Sequence, residues 1–482
     1  MASTSLPVPR LQILASFILG IALALHVGTE VFSYLQKGER GIWHQPLCQF
    51  QVANTGKFQL VTKRTRLEGT GESISPSIPV GPEVHSAMSN ADSNGKHHQR
   101  QDASRSESKY HASILATGKA VPPNRYDQST FPEFYFGVTN CSHKVELQQR
   151  MQKICDKSAI NTRYSILNEE TLKQHPEFYT PGEPSMEQRH EFLEEEIPKL
   201  AAQAATNALK EWGRPVSEIT HLIVVTLSGV SIPGADVRLV KLLGLRHDVQ
   251  RIMLYMLGCY AGITALRIAK DLVENNPNSR VLIACSEMYA ATFRAPDENY
   301  MYDIVGASLF GDGAVGVIVG TNPNPLTERS LFEIRWAGVS MAPDTAHVVQ
   351  GKLKLDGLYF YLDKSLPMLL GENIAPFCKK IMEHAPEQLH LSYNEMFWAV
   401  HPGGPAIVNT VEEQLNLDPE KMSASRYVLE NYGNISASSV LYVLDEIRRR
   451  PAKEEWGAAL AFGPGVTLEG VLLRRNVDET NS

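Results

Sequence analysis

One short stretch, residues 249–275, joins an apolar strand to an amphipathic helix through a Gly-Cys turn. The apolar run 252–257 comes first, Gly258 and Cys259 follow, and four apolar residues then recur at helical spacing. Those four are Ala261, Ala265, Ile268 and Leu272. Cys259 is therefore expected at a helix N-terminus, where free N–H groups and the helix dipole favour a thiolate. We predict a lowered pKa for this thiol, although a lone cysteine with apolar neighbours is more often inert core.

Apolar strands and helices alternate through most of the chain. Apolar runs typical of strands buried on both faces recur at 221–226, 281–285 and 396–400. A chain of 482 residues is long for one ordinary domain. The alternation also starts again near residue 331. The sequence therefore predicts an α/β fold in two halves of similar order, 110–335 and 336–475, followed by a tail, 476–482.

Composition limits the candidate binding partners and the cellular compartment of the protein. The chain has 46 Lys and Arg against 53 Asp and Glu, a net charge of −7, and no basic block. Nucleic acid is therefore a poor candidate partner. The six cysteines are scattered without metal-binding spacing. This pattern predicts reduced thiols, a cytoplasmic location and no metal site.

The first 109 residues differ from the rest. Residues 1–40 contain one apolar segment, 11–27, which is as long as a signal-peptide core and short for a membrane span. Residues 41–109 are of low complexity and predict a disordered linker. A signal peptide, a short signal anchor and an extension without a role all stay open. Two cations after the segment favour a cytosolic body. From these features we predict a tether to the cytosolic face of the endoplasmic reticulum.

Three polar residues are expected at junctions between elements. Cys259 lies at a strand-to-helix turn, His401 ends an apolar strand, and Asn434 precedes a helix. Open α/β sheets place ligand sites at such junctions. A thiol beside an imidazole is an activated nucleophile, and an amide N–H beside an imidazole N–H can hold an oxyanion or enolate. Taken singly, the three fit a core cysteine, a satisfied histidine and a helix cap, but together they predict a catalytic site.

A basic helix is predicted over residues 143–158. Arg150, Lys153 and Lys157 lie along one edge of it. A solvated charged face is the common interpretation of such an edge. The alternative is a clamp for a phosphorylated ligand, because three cations on one edge can pair with phosphates.

Several longer motifs carry more information than any single residue. They read LSGVSIPGAD, GCYAGITALRIAKDLVENN, SLFGDGAVGVIVG, FWAVHPGGPAI, LENYGNISASSVLYVLDE and FGPG. The motifs resemble those of the type III polyketide synthases, the chalcone synthase superfamily of plants, over about residues 110–474. The resemblance implies a duplicated thiolase-type αβαβα fold and a homodimer. It also implies an acyltransferase that extends an acyl-CoA starter with malonyl-CoA, using CoA thioesters as substrates and no cofactor.

The resemblance also implies roles for individual residues. Cys259 looks like the acyl-accepting nucleophile, His401 and Asn434 complete the triad, and the basic helix matches the one that meets CoA phosphates. The implied pocket residues are Phe310, Phe360, Leu227, Ile232, Tyr289, Thr292, Gly306, Gly351, Ser436, Gly463, Pro464 and Gly465.

The pocket departs from the chalcone-forming pattern. Leu227 and Tyr289 stand where that pattern has threonines, and Ile232 replaces a methionine. These changes add apolar wall, which favours a fatty acyl-CoA starter and alkylpyrone or alkylresorcinol products. The alternative is a chalcone or stilbene synthase-like enzyme with a phenylpropanoid-CoA starter.

Three other classes of protein compete with this interpretation. The Cys-His-Asn order also resembles the papain-like proteases, but their C-G-[SA]-C-[WY] motif is absent. A bacterial ketoacyl synthase shares the triad and the fold, but it uses an acyl carrier protein. A non-catalytic partner of such an enzyme would not need an intact triad.

Overall fold

The computed structural model describes residues 110–386, 390–451 and 453–475, together with two short strands, Gln51–Val52 and Phe58–Gln59. The chain divides into two compact units, residues 1–98 and 99–482. In the first unit the two short strands pair in an antiparallel arrangement. The predicted apolar segment, most of the predicted linker and the tail lie outside the described residues.

The membrane prediction concerns residues outside this described part. Among the described residues, no helix combines the length and the apolar character needed to span a bilayer. The apolar segment 11–27 is not among them, so the tether stays a prediction.

Nine strands form one mixed sheet in the second unit. In chain order they are β1 Ala112–Ala120, β2 His221–Thr226, β3 Gln250–Tyr255, β4 Arg280–Glu287, β5 Gly313–Gly320, β6 Phe332–Met341, β7 Phe397–Val400, β8 Trp456–Gly463 and β9 Thr467–Arg474. Across the sheet the order is β7-β8-β9-β6-β1-β5-β4-β2-β3. Two hairpins lie outside it: Asn124–Asp127 with Thr162–Ser165, and Val349–Lys354 with Gly357–Leu362.

The strand order shows that this unit is built from two repeats. From the middle outward, the first half runs β1-β5-β4-β2-β3 and the second half runs β6-β9-β8-β7. In both halves the first two pairings are antiparallel and the next is parallel. Strands β1 and β6 pair in an antiparallel arrangement and join the halves. The predicted duplication is therefore confirmed by topology, although the two halves share little sequence similarity.

The α-helices connect these strands. They are α1 Phe131–Val138, α2 Val145–Lys157, α3 Glu169–Gln174, α4 Met186–Trp212, α5 Ala235–Leu243, α6 Ala261–Asn275, α7 Met301–Leu309, α8 Leu366–Met382, α9 Pro405–Gln414, α10 Ser423–Tyr432 and α11 Ser439–Arg449. Short 3₁₀ turns cover Pro176–Phe178, Val216–Glu218, Tyr289–Ala291, Tyr393–Glu395, Pro419–Met422 and Ser436–Ser438.

Two helices, α6 and α11, form the central layer. They contact each other, and their apolar residues share one core with strands from both halves of the sheet. Helix α4 packs on the other face of the first half, and α8 and α9 pack on the other face of the second half. Most of the strands are thus buried between helices, which explains their continuous apolar sequences, whereas β3 and β6 are only partly buried. The five layers are those of the predicted thiolase-type αβαβα fold.

The connection between the repeats is short. Strand β6 spans the boundary predicted between residues 335 and 336, so a division at that point would cut a strand. The segment between β5 and β6, residues 321–331, separates the two repeats instead.

Candidate active site

Cys259 lies in a turn between β3 and α6. Gly258 has a φ of +86°, which glycine adopts without strain. A Cβ at this position would lie 2.8 Å from Cδ of Pro464, in the turn between β8 and β9. A Cβ on Gly463 would also lie 3.4 Å from the backbone nitrogen of Cys259. The Gly463-Pro464-Gly465 turn from the second repeat therefore packs directly on the cysteine turn of the first.

The start of α6 also touches the turn before α11. A Cβ on Gly262 would overlap the carbonyl oxygen of Ala437, so only glycine fits at this approach. This contact brings the Ser436 hydroxyl to 3.7 Å from Sγ of Cys259, within donor range for sulfur. Cys259 itself keeps part of its surface accessible. Two turns of the second repeat thus enclose this cysteine.

His401 follows β7 and is 2% exposed. Its backbone nitrogen donates to the carbonyl oxygen of Leu460, which holds the residue against β8. Its Nδ1 atom has no hydrogen-bond partner among the described residues. A Cβ on Gly403 would lie 3.3 Å from Nε2, so Gly403 packs against the imidazole edge.

Asn434 connects the histidine segment to the cysteine segment. Its Nδ2 donates to the carbonyl oxygen of Gly403 at 3.2 Å, and its Oδ1 accepts from the Ser436 amide at 2.8 Å. Its backbone exchanges hydrogen bonds with Leu309 and Gly311, on either side of Phe310. These bonds fix the side-chain amide and leave one N–H without a partner among the described residues. The prediction that Asn434 caps a helix is wrong, because Ile435 is the N-cap of the 3₁₀ turn that follows. Helix α11 begins four residues later than the predicted helix start at residue 435, with Ser438 as its N-cap.

Burial sets the protonation state of the site. It raises the pKa of the Cys259 thiol to about 11 and lowers the pKa of His401 to about 3. At neutral pH the site therefore holds a neutral thiol and a neutral imidazole. The predicted lowering of the Cys259 pKa is therefore wrong, because the loss of solvent outweighs the dipole of α6.

An aromatic cluster forms one wall beside Asn434. The rings of Phe310 and Phe360 stack with centroids 5.3 Å apart, and Tyr289 stacks on Phe310 at 6.5 Å. The Thr292 hydroxyl donates to the carbonyl oxygen of Tyr289, and a Cβ on Gly306 would lie 3.6 Å from the Phe310 ring. These five predicted pocket residues therefore come together.

Glu287 is a residue of the site that the sequence analysis missed. It ends β4, is 3% exposed, and accepts hydrogen bonds from the Leu227 amide and the Ser228 hydroxyl, each at 3.0 Å. Burial raises its pKa to about 8. Its charge contributes to the raised pKa of Cys259, so the carboxyl group lies near the thiol. The available signal was an acid directly after an apolar strand.

Two predicted pocket residues do not join this group. Ile232 is 99% exposed, so the structure does not bring it into the pocket of its own chain. Gly351 is also exposed, in a hairpin, although it pairs directly opposite Phe360. The strand pairing therefore places its backbone next to the aromatic wall.

The predicted basic edge lies on α2. Arg150, Lys153 and Lys157 are exposed, and none forms an ion pair with another described residue. Helix α2 packs on α7, the helix that ends immediately before Phe310. The unpaired cations therefore lie on the side of the molecule that carries the aromatic wall.

The fold and this arrangement define the class of protein. Two repeats of a mixed sheet enclose two central helices, with the cysteine turn from one repeat and the histidine and asparagine from the other; this is the thiolase-type architecture. Residues 98–323 match the N-terminal domain of chalcone and stilbene synthases, and residues 333–477 match the C-terminal domain. The chain belongs to the chalcone and stilbene synthase family, and thus to the type III polyketide synthase superfamily that its motifs resemble.

Proposed function

We propose that this chain condenses malonyl-CoA repeatedly onto an acyl-CoA starter at Cys259, without a cofactor. The observation that carries the proposal is the position of Asn434. Its amide is fixed between Gly403, beside His401, and Ser436, beside the Cys259 thiol. The N–H of Asn434 is therefore already oriented for a reaction at the thiol. It does not have to reorient when negative charge develops on a substrate oxygen.

The first step transfers the starter to the enzyme. The imidazole of His401 takes the proton of Cys259, and the thiolate attacks the thioester carbonyl of the acyl-CoA. The bond to CoA breaks, and the CoA thiolate leaves with the proton from His401. The low pKa of His401 keeps the imidazole neutral but also makes it a weak base, so the imidazolium depends on the adjacent thiolate for its stability. The thiolate and imidazolium formed in between stabilise each other by their opposite charges.

The second step extends the chain. The thioester oxygen of malonyl-CoA lies against His401 and the free N–H of Asn434. The bond to the carboxylate breaks, CO₂ leaves, and the two donors hold the enolate oxygen. The carbanion attacks the acyl thioester on Cys259, so a C–C bond forms and the C–S bond breaks. Donors of this kind contribute about 3–4 kcal/mol each to such steps.

The exposed cations of α2 support CoA as the carrier. Phosphates pair well with several cations on one helix edge, and Arg150, Lys153 and Lys157 have no competing ion pair among the described residues. We assign them to the phosphates of both CoA substrates.

The pocket supports a fatty acyl starter. Leu227 is buried beside Ser228 and Glu287, and Tyr289 stacks on Phe310, so both replace threonine hydroxyl groups with apolar or aromatic surface. Each methylene buried against such a wall is worth up to about 0.8 kcal/mol. The products would then be alkylpyrones or alkylresorcinols.

Radiolabelled malonyl-CoA and a panel of starters test the function. We expect labelled polyketides from the wild type and none from Cys259→Ala. Equimolar lauroyl-CoA and coumaroyl-CoA in one reaction then decide the starter. Products derived mainly from coumaroyl-CoA would contradict the fatty acyl assignment and favour the chalcone or stilbene synthase alternative. The absence of any condensation product would contradict the proposed function itself.

A further inference from the structure

A small cavity lies behind the aromatic wall of the candidate site. It has a volume of about 20 Å³, enough for one oxygen-sized group. Its walls are mostly aromatic and include Tyr126, Phe131, Phe134, Tyr289 and Phe310. Because Tyr289 and Phe310 also form the wall beside Asn434, the cavity and the pocket share a boundary.

One charged side chain lines this cavity. Arg163 is 3% exposed and stacks on Phe131, with its guanidinium carbon 4.1 Å from the ring centroid. Its Nε donates to Gln128, and its Nη1 donates to the carbonyl oxygens of Ala307 and Phe310. Its Nη2 has no hydrogen-bond partner among the described residues.

The positive charge of Arg163 is also unbalanced. The side chain forms no ion pair within the described residues. The nearby carboxylate of Asp312 accepts instead from the amides of Tyr289 and Ile166. Burial lowers the pKa of Arg163 to about 10, so the guanidinium is still charged at neutral pH. A buried, charged N–H without an acceptor is costly, which points to an acceptor that binds during the reaction.

The position of Arg163 limits what that acceptor can be. Its Nη1 holds the carbonyl oxygen of Phe310, and its side chain packs against Gly433, the residue before Asn434. The free Nη2 of Arg163 is thus close to the thioester end of an acyl chain on Cys259. The other end of a long starter would lie away from Arg163. In the proposed reaction, the oxygens at that end are the keto groups that each condensation adds.

We propose that Arg163 binds a β-keto oxygen of the growing chain in this cavity, with Tyr289 or Phe310 turning aside to admit it. This inference rests on the proposed function. Because a keto group can ionise to an enolate, a buried guanidinium favours it over a saturated methylene. Arg163 would then be a specificity-determining residue that holds the intermediate for further extension.

Two acyl-CoA substrates that differ in one oxygen test the proposal. Acetoacetyl-CoA and butyryl-CoA have the same chain length, and only the former carries a β-keto group. We expect the full-length wild type to load Cys259 from acetoacetyl-CoA with a kcat/KM at least about tenfold higher, the size expected for a charge-assisted hydrogen bond. Arg163→Gln should reduce this ratio to near one.

A second variant keeps the test valid if Arg163→Gln does not fold. Leu167 lines the same cavity from another side, and Leu167→Phe would fill it while leaving Arg163 intact. Leu167→Met conserves volume and is the matched control. We expect Leu167→Phe to lose the preference for acetoacetyl-CoA and the products of later extensions, and Leu167→Met to keep both.

The outcomes separate this inference from the proposed function. The role of Arg163 would be overturned if the ratio of kcat/KM for acetoacetyl-CoA to kcat/KM for butyryl-CoA were the same in wild type, Leu167→Phe and Leu167→Met. A bound water would then be the partner of Nη2. Polyketide synthesis by the wild type would still support the proposed function in that case. A wild type that loads neither substrate and makes no polyketide would contradict the proposed function.

Discussion

At the residue scale, the chemistry depends on where the proton of Cys259 goes. Burial makes both the thiol and the imidazole of His401 neutral at neutral pH. The thiolate therefore forms only if a nearby base takes the proton. We propose His401 as that base, since its Nδ1 has no hydrogen-bond partner among the described residues.

His401→Gln should therefore slow the alkylation of Cys259. Glutamine keeps a donor but cannot accept the proton, so the rate with iodoacetamide at pH 7 should fall by about 100-fold or more. Mass spectrometry of the Cys259 peptide over time measures the rate. Asn434→Ala, which removes a donor but no base, is the control and should react at close to the wild-type rate. Equal rates in His401→Gln and wild type would contradict the role of His401.

Glu287 should make stability depend on pH. Its pKa is raised from 4.5 to about 8 in the folded state, so folding favours the protonated form. Its contribution is therefore fully present below about pH 4.5 and is lost as the pH rises through about 8. Glu287→Gln removes the ionisation, so the variant should gain stability relative to wild type between pH 5 and pH 9, by more than about 1 kcal/mol.

Urea unfolding at several pH values checks this difference. Glu191→Gln, at an exposed position, is the control and should show no such trend. A free energy of unfolding for Glu287→Gln that runs parallel to wild type across this range would show that Glu287 does not titrate as described.

At the scale of elements, the hypothesis that CoA is the carrier depends on the exposed cations of α2. Reversing Arg150 and Lys153 to Glu should raise the KM for malonyl-CoA at least about tenfold, because each lost phosphate contact is worth about 1.5–3 kcal/mol. The fold should survive, since both side chains are exposed. Lys379→Glu with Lys380→Glu, an exposed pair on α8, is the matched control. An unchanged KM for malonyl-CoA in the α2 variant would contradict phosphate binding and favour a solvated charged face.

The sequence predicted the grouping of the site residues but not their electrostatics. The junction argument grouped Cys259, His401 and Asn434, and the structure connects the segments that carry them. It could not give the pKa of Cys259, because burial depends on packing from the other repeat. Glu287 and Arg163 escaped notice because their partners are distant in sequence: Glu287 bonds to Leu227, 60 residues away, and Arg163 to Phe310, 147 residues away. Sequence periodicity and motif spacing cannot predict contacts between residues so far apart in the chain.

At the scale of the whole molecule, the exposed apolar surface near β3 supports the predicted homodimer. Strand β3 lies at one edge of the sheet. Ile232 and Leu242 nearby in sequence are 99% and 53% exposed. An open edge with apolar neighbours is commonly covered by a partner. We expect light scattering to give twice the chain mass, and Ile232→Asp to weaken the dimer. Leu326→Asp, at a residue that is 91% exposed between the repeats, is the control. A wild-type monomer would contradict this proposal.

The central claim is that Cys259 is the acyl acceptor of a condensing enzyme. Its most direct test is the mass of the protein after incubation with a panel of acyl-CoA starters, including lauroyl-CoA and coumaroyl-CoA, and no malonyl-CoA. We predict a mass increase of one acyl group from at least one starter, located by peptide mapping on Cys259 and absent from Cys259→Ala. An adduct on another of the six cysteines, or one that persists in Cys259→Ala, would contradict the account.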